Sequence, residues 1–124
     1  MKKIFTDKAP AAIGPYSQAM VVGKLIYTSG QIPIDPSTGN IEAADIEGQT
    51  EQVCKNLAAV LAEAGSSLED VVKTACFLSD MASFAAFNTV YEKYFTSCPA
   101  RSCVAVKALP KGSLVEVEAI AEIK

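Results

Sequence analysis

The chain has 124 residues, half of them hydrophobic, with 11 Lys and Arg against 14 Asp and Glu and a net charge of -3. This length suits one domain with a single core, spanning residues 1–124. The acidic balance argues against a nucleic-acid partner, because such binders present a basic patch or stripe. The absence of histidine leaves carboxylate, tyrosine, backbone groups or water for any catalysis.

The sequence pattern of the first half of the chain predicts a strand, a hairpin, a loop and a helix. Gly23-Lys24 joins two apolar, β-rich runs and suits a type II′ turn. Residues 31–44 are rich in turn formers and predict an irregular loop, whose acidic residues lack the spacing of a calcium-binding EF-hand. Asp45 is the predicted N-cap of an amphipathic helix, and Gly65 is its C′ residue.

The next segment predicts one turn, a buried strand and a second helix. Ser66 and Glu69 could form a capping box, and residues 71–78 are β-branched and apolar. Asp80 is predicted to cap the second helix. Its apolar stripe consists of Phe84, Phe87, Tyr91, Tyr94 and Phe95.

Asn88 lies on that apolar stripe, one helical turn from Phe84 and Tyr91. A polar amide on an apolar face costs free energy unless it finds partners. It is therefore either a satisfied structural hydrogen bonder or a ligand contact.

The last third predicts two strands. Pro99 fixes its own φ and favours an extended Cys98, so that the preceding element ends there and a strand begins near Arg101. Alternation places Arg101 and Cys103 on one face, and in the closing strand it separates Glu116 from the apolar residues beside it. The order of elements predicts an α+β fold, a mixed sheet with two main helices on one face. The other sheet face then needs solvent or partner subunits.

Arg101 is a candidate ligand-binding residue. Its planar guanidinium suits a carboxylate or phosphate held by two parallel hydrogen bonds. The alternative is a surface arginine in a salt bridge.

The cysteines predict neither a metal site nor a disulfide framework. Cys54, Cys76, Cys98 and Cys103 show no C-x-x-C spacing, and the chain has no histidine to complete a zinc site. We expect no metal, no other cofactor and reduced thiols, with Cys54 and Cys76 buried rather than reactive.

Only Met1-Lys2-Lys3 precedes the first apolar residues, too little for a signal peptide or a membrane span. We expect a cytoplasmic protein with no membrane association.

Several motifs carry a family resemblance. Pro99-Ala100-Arg101-Ser102-Cys103-Val104, followed by Leu109-Pro110-Lys111 and Glu116-Val117-Glu118, resembles the signature of the YjgF/RidA family of reactive-intermediate imine deaminases. Two N-terminal segments resemble other motifs of the family: Ala11-Ala12-Ile13-Gly14-Pro15-Tyr16-Ser17-Gln18-Ala19 and Ser29-Gly30-Gln31-Ile32-Pro33. Asn88 falls where the family's second helix usually carries an asparagine. The motifs occur in the family's order along the whole chain.

The resemblance implies a chorismate-mutase-like fold and a homotrimer with equivalent sites in clefts between adjacent subunits. The implied substrates are small 2-imino acids or their enamine tautomers, such as 2-iminobutanoate and 2-iminopropanoate. Pyridoxal-phosphate enzymes release these imines, and hydrolysis gives a 2-oxo acid and ammonia. The main rival is a non-catalytic protein that binds or senses a 2-oxo acid or another small carboxylate. A nuclease or translation-inhibitor role fits poorly with the acidic charge and the missing histidine.

Carried over by resemblance, the cleft residues are Tyr16, Ser29, Gly30, Asn88, Arg101, Cys103 and Glu116. Arg101 would hold the substrate carboxylate, Glu116 would position or deprotonate water, and Tyr16 would close the cleft. Ser29 and the Gly30 amide would add donors. Cys103 would act through its backbone carbonyl rather than its thiol.

Other interpretations remain for some of these residues. Ser29 and Gly30 could mark a strand end or bulge, Glu116 a solvated strand face and Tyr16 a packed tyrosine. One departure from the family pattern concerns Cys98, which stands where an aromatic residue often precedes Pro-Ala-Arg. It puts the pocket wall, and with it the preferred substrate size, in question.

Overall fold

Eight strands and two α-helices make up the computed structural model, which describes residues 1–124. In chain order these are β1 (Lys2–Ile4), β2 (Ala19–Val22), β3 (Leu25–Thr28), β4 (Ile34–Asp35), β5 (Asn40–Ile41), α1 (Ile46–Glu63), β6 (Val71–Leu78), α2 (Phe84–Tyr94), β7 (Ala100–Ala105) and β8 (Val115–Glu122). Short 3₁₀ turns lie at Leu68–Asp70, Met81–Ser83 and Pro110–Gly112. Neither helix combines the length and the apolar character that a bilayer crossing requires.

Six of the strands form one mixed sheet in the order β1-β2-β3-β8-β6-β7, and β4 pairs with β5 separately. The pairs are antiparallel except β6 with β7, which run parallel and are connected through α2. Helix α1 packs on β3 and β8, and α2 packs on α1. The predicted α+β fold, a mixed sheet with two main helices, is confirmed.

Strand alternation gives the sheet one dry face. On β6, Thr74, Cys76 and Leu78 are buried, whereas Phe77 and Ala75 between them are only half-buried. On β8 the buried residues are Val115, Val117, Ala119 and Ala121. We call the side that carries the helices the helix face and the opposite side the open face.

Local chemistry sets the ends of α1 as predicted. The Asp45 carboxylate accepts a hydrogen bond of 2.8 Å from the Gly48 amide, and Gly65 follows the helix at a φ of 85°. The β2–β3 hairpin turns at Gly23, whose φ of 60° suits the predicted type II′ turn. Residues 31–44 are irregular apart from the short β4–β5 ladder, which the sequence did not indicate.

The predicted capping box after α1 is wrong. The Ser66 hydroxyl donates instead to the Glu122 carbonyl at 2.6 Å, and Ser67 precedes the 3₁₀ turn and bonds to Asp70. A partner at the far end of the chain therefore outcompetes the local one for Ser66. The Asp80 prediction holds in modified form, since its carboxylate caps the 3₁₀ turn that runs directly into α2.

The turn before β7 also differs from expectation. Cys98 adopts a φ of 53° rather than an extended conformation. Its amide donates to the Phe95 carbonyl at 3.1 Å, so the chain reverses immediately after α2. The short connection to Pro99 overrides the usual preference of a residue before proline.

Buried amide side chains form hydrogen bonds that hold the loops against the core. Asn56 of α1 is 1% exposed, and its Nδ2 donates to the carbonyls of Ile32 at 3.1 Å and Ile34 at 2.9 Å. Gln18 serves the N-terminal segment in the same way, accepting from the Thr6 amide at 2.7 Å and donating to the Pro10 carbonyl at 2.8 Å. Every buried side-chain nitrogen and oxygen has a partner.

The Asn56 anchor yields a stability prediction. Asn56→Leu keeps the branched shape of the side chain but removes its hydrogen bonds to the carbonyls of Ile32 and Ile34, so we expect the free energy of unfolding to fall by about 2–4 kcal/mol. Denaturant unfolding at matched protein concentration measures it. The exposed Asn40 provides the control, because Asn40→Ala should change the same quantity by no more than about 0.5 kcal/mol. Equal losses in the two variants would contradict the anchoring role.

Candidate functional site

The environment of Arg101 is the most organised part of the candidate site. Arg101 lies opposite the buried Thr74 in the β6–β7 ladder, so its side chain leaves the sheet on the helix face. Its Nη1 donates to Asn88 Oδ1 of α2 at 2.8 Å. Its guanidinium carbon lies 4.8 Å from the ring centre of Tyr91, 5.5 Å from that of Phe84 and 5.9 Å from that of Phe87. Aromatic faces at these distances stabilise a cation.

The salt-bridge alternative for Arg101 is wrong within this chain. The structure has one salt bridge, between Lys124 and Asp70 at 3.6 Å. Arg101 is also the only arginine in the sequence. Apart from the bond to Asn88, the guanidinium N–H groups of Arg101 make no hydrogen bond within the chain. The guanidinium therefore retains donors for an acidic ligand.

A cavity of about 330 Å³ adjoins this arginine. Its walls come from α2, from the turn before β7 and from Arg101 itself. The lining residues are Asn88, Tyr91, Glu92, Phe95, Cys98, Pro99 and Arg101. The short turn at Cys98 therefore forms part of the wall beside the guanidinium.

The Cys103 and Cys76 thiols near Arg101 are protonated at neutral pH. Burial raises the pKa of Cys103, and the nearby Arg101 offsets this only in part. Burial also raises the pKa of Cys76 to about 12 and the pKa of Cys54 still further. These values agree with the expectation that Cys103 is no nucleophile. The structure has no group of three or more Cys, Asp or Glu side chains that could hold a metal ion.

Glu116 and Gly30 lie against each other elsewhere in the molecule. The Gln31 amide donates to the Val117 carbonyl at 2.8 Å, and the Val117 amide donates to the Gln31 carbonyl at 3.2 Å. These two bonds bring Gly30 next to β8. A Cβ at Gly30 would lie 2.5 Å from Glu116 Oε2 and 2.8 Å from its Cδ. Gly30 has no positive φ, so the close approach is the feature that favours glycine here, because a side chain at position 30 would push the Glu116 carboxylate aside. Burial, and then repulsion from Glu118, raise the pKa of Glu116.

Ser29 and Tyr16 lie near Gly30. The Ser29 hydroxyl donates to the Ser17 carbonyl at 2.6 Å, and its amide donates to the Gln18 carbonyl at 2.8 Å. The Ser29 hydroxyl thus has a structural partner. Tyr16 is 48% exposed, lines a small crevice with Gly30 and accepts a hydrogen bond from the Ile13 amide at 3.3 Å. It is not a packed core tyrosine.

The predicted site residues therefore form two groups in one chain. The helix-side group consists of Asn88, Arg101 and Cys103; the strand-end group consists of Tyr16, Ser29, Gly30 and Glu116. In the ladders with β6, Arg101 pairs with Thr74 and Glu116 pairs with Phe77, which point to opposite faces. The guanidinium and the carboxylate consequently do not meet within one subunit.

Sequence reasoning missed the residues that hold these groups in place. Thr74 Oγ1 and Tyr91 Oη share a buried hydrogen bond of 2.7 Å directly behind Arg101. The sequence pattern assigns Tyr91 to the apolar stripe, and the spacing of Phe84, Asn88 and Tyr91 along one helix face is the signal that indicates a common partner. That the partner is Arg101 follows only from the sheet order.

Comparisons with known proteins cover almost the whole chain. The family model described as Endoribonuclease L-PSP matches residues 6–123. A RutC family protein of Pyrococcus abyssi is 56% identical over 119 residues, which are 95% of this chain and 94% of the relative. The structure of YyfA from Yersinia pestis, described as a member of the conserved Rid protein family, has a TM-score of 0.95 at 49% identity, covering 98% of both chains.

A structure of Escherichia coli TdcF with bound serine has a TM-score of 0.95 at 42% identity and covers 100% of both chains. The sequence motifs, the family model and these full-length matches agree. The chain belongs to the YjgF/RidA family, which the family model describes as Endoribonuclease L-PSP, and has its fold.

Proposed function

We propose that this protein hydrolyses reactive 2-imino acids and their enamine tautomers, such as 2-iminobutanoate and 2-iminopropanoate, to 2-oxo acids and ammonia. The observation that carries the proposal is the state of Arg101. Its guanidinium is held by Asn88 and three aromatic rings, has no carboxylate partner and adjoins a cavity of about 330 Å³. A charge-assisted hydrogen bond from such a group to a substrate carboxylate contributes about 1.5–3 kcal/mol.

The family supports a ligand of this chemical class. The similar TdcF structure contains serine, a small amino acid with the carboxylate that Arg101 would hold. A ribonuclease activity, after which the family model is described, has less support in this chain. The sequence has no histidine for acid–base chemistry on RNA, and its net charge of -3 opposes the approach of a phosphate backbone.

The reaction needs little machinery. A protonated imine is electrophilic at carbon, so water adds there and a proton leaves the water oxygen. The resulting carbinolamine expels ammonia from a protonated nitrogen, and the C=O bond of the 2-oxo acid forms. Holding the carboxylate fixes the imine carbon beside an oriented water, which makes the addition nearly unimolecular.

Glu116 is the proposed base for the water. Burial and Glu118 raise its pKa, which makes its carboxylate a stronger proton acceptor than an exposed glutamate. Tyr16, half-exposed on a loop beside Gly30, is the proposed group that closes over a ligand. The backbone of Gly30 and the carbonyl of Cys103 are the proposed further contacts.

The separation of the two groups favours a site shared between subunits. Arg101 and Glu116 leave opposite faces of one sheet, so a neighbouring copy must bring its strand-end group to the helix-side group. Tyr27 and Val104, 45% and 48% exposed on the open face, provide apolar surface for such a contact. We propose the homotrimer with equivalent clefts that the family resemblance implies. Head-to-tail contacts of this type form a ring when the rotation between neighbouring subunits closes.

The first prediction of the proposed function concerns Arg101. Purified protein should accelerate the hydrolysis of enzymatically generated 2-iminobutanoate, and Arg101→Ala should lower kcat/KM by about 10- to 100-fold. Arg101→Lys should recover only part of this, because an ammonium keeps the charge without the planar fork. Lys107→Ala, which removes an exposed cation close to β7, is the matched control and should behave as wild type.

Circular dichroism should show the same fold for all these variants. A wild-type rate equal to that of buffer would contradict the proposed reaction. If 2-oxobutanoate nevertheless bound in an Arg101-dependent way, the protein would be a carboxylate sensor.

The second prediction concerns pH. The pKa of Glu116 is raised above its ordinary 4.5, and a base must be ionised to act. Turnover should therefore fall as the pH drops through this raised value. Glu116→Gln should remove this acid limb and lower kcat by about 10²- to 10⁴-fold. Glu118→Gln removes a neighbouring negative charge, so it should keep the activity and move the acid limb to lower pH.

A profile of kcat from mildly acidic to mildly alkaline pH provides the measurement. Unchanged turnover in Glu116→Gln would exclude Glu116 as the base and leave positioning by Arg101 as the core of the mechanism.

The third prediction tests the shared site. Arg101→Ala and Glu116→Gln subunits, co-assembled in equal amounts, should regain activity because some clefts receive both native side chains. Random assembly gives this combination at about one quarter of the clefts. As a control, Arg101→Ala subunits mixed with the double variant should regain nothing.

Light scattering should give a mass near three times the chain mass of 13.1 kDa. Absence of any recovery in mixed assemblies of that mass would place each site within one subunit and contradict the proposal.

A further inference from the structure

A buried pair of hydroxyl groups lies between the sheet and α2, directly behind Arg101. Thr74 Oγ1 of β6 and Tyr91 Oη of α2 are 2.7 Å apart, and the two residues are 0% and 8% exposed. The Cys76 thiol donates to the same threonine oxygen at 3.7 Å. Burial raises the pKa of Tyr91 to about 12, so the phenol is neutral and protonated over the whole physiological range.

The ring of Tyr91 is fixed in its plane as well as at its hydroxyl. It stacks on Phe95 at 4.4 Å with an interplanar angle of 23° and lies 5.4 Å from Phe87. It is also the aromatic ring closest to the guanidinium of Arg101, at 4.8 Å. Any rotation of this ring would move the surface on which the cation rests.

Two independent contacts therefore define the position of the guanidinium. Asn88 accepts a hydrogen bond from Nη1 at 2.8 Å, and the guanidinium carbon lies over the ring of Tyr91 at 4.8 Å from its centre. A long side chain that is already ordered loses less conformational entropy when it binds a ligand. The remaining N–H donors then point in a fixed direction.

We propose that Tyr91, held by Thr74, is a positioning residue that orients Arg101 for binding a substrate carboxylate. This inference rests on the proposed function, in which Arg101 is the carboxylate anchor. The Thr74–Tyr91 hydrogen bond fixes the orientation of the Tyr91 ring, and the ring in turn fixes the orientation of the guanidinium. The two hydroxyls bond to each other, so in this proposal they act on the ligand through Arg101.

A positioning role predicts a particular kinetic pattern. The carboxylate is held in the same way before and during the reaction, so poorer orientation of Arg101 weakens ground-state and transition-state binding alike. Such a loss raises KM, and it lowers kcat only as far as the imine carbon moves away from the oriented water. A purely structural role would lower stability and leave the affinity of the folded protein unaffected.

The test compares Tyr91→Phe, Thr74→Val and the double variant with wild type. Calorimetry measures the Kd for 2-oxobutanoate, and steady-state kinetics with 2-iminobutanoate give KM and kcat. Each single variant should raise Kd and KM about three- to tenfold, the worth of one hydrogen bond. The double variant should be no worse than the poorer single variant, because both remove the same bond.

Two further variants serve as controls. Thr74→Ser keeps the hydroxyl and should retain nearly wild-type affinity. Thr89→Val removes a hydroxyl from the exposed side of α2, where it bonds only to the Ala85 carbonyl of its own helix, and should change neither constant. Near-ultraviolet circular dichroism checks folding, and Tyr91→Phe and Thr74→Ser keep the test decisive if Thr74→Val fails to fold.

Unchanged Kd and KM in folded Tyr91→Phe would overturn the inference. Failure of the proposed function gives a different result. In that case wild type would bind 2-oxobutanoate without hydrolysing the imine. The comparison of Kd between wild type and Tyr91→Phe would still decide whether Tyr91 orients Arg101. If wild type neither bound 2-oxobutanoate nor hydrolysed the imine, Arg101 would not be an anchor and the inference would fall with it.

Discussion

The pairing of β6 with both β7 and β8 is the constraint on which the rest of the structure depends. Strand β6 lies between the other two, and its alternation decides which of their side chains face the helices. Arg101 takes the face of Thr74, whereas Glu116 takes the face of Phe77. A shift of one residue in either ladder would reverse one of these directions. The register thus controls both the packing of the core and the direction of the candidate catalytic groups.

Sequence reasoning succeeded where the determinant is local. Asp45 and Gly65 bound α1 because capping and positive φ depend on adjacent residues, and alternation correctly assigned Arg101 and Glu116 to faces of their own strands. It failed where a partner is distant. Ser66 bonds to the far end of the chain, and Asn56 bonds to the carbonyls of a loop more than twenty residues away. No local pattern indicates which such partner a polar side chain will find.

The candidate site shows the same division. Family motifs supplied its residues, and their catalytic roles stay predictions. The structure adds what the motifs do not contain: Arg101 lies on an aromatic surface, Gly30 lies against Glu116, and the two groups are apart in one subunit. Burial raises the pKa of the Cys76 and Cys103 thiols and of the Tyr91 phenol near Arg101. These three groups are therefore neutral beside the guanidinium, and the cavity wall also contains the carboxylate of Glu92.

The contact between Gly30 and Glu116 has a consequence for how this chain can vary. A methyl group at position 30 would occupy the space that the Glu116 carboxylate fills. Replacing Gly30 by alanine would thus displace the carboxylate of Glu116, which lies far along the sequence. A side chain at position 30 would therefore act on the candidate base by moving its carboxylate, and a shorter side chain at position 116 would relieve the contact.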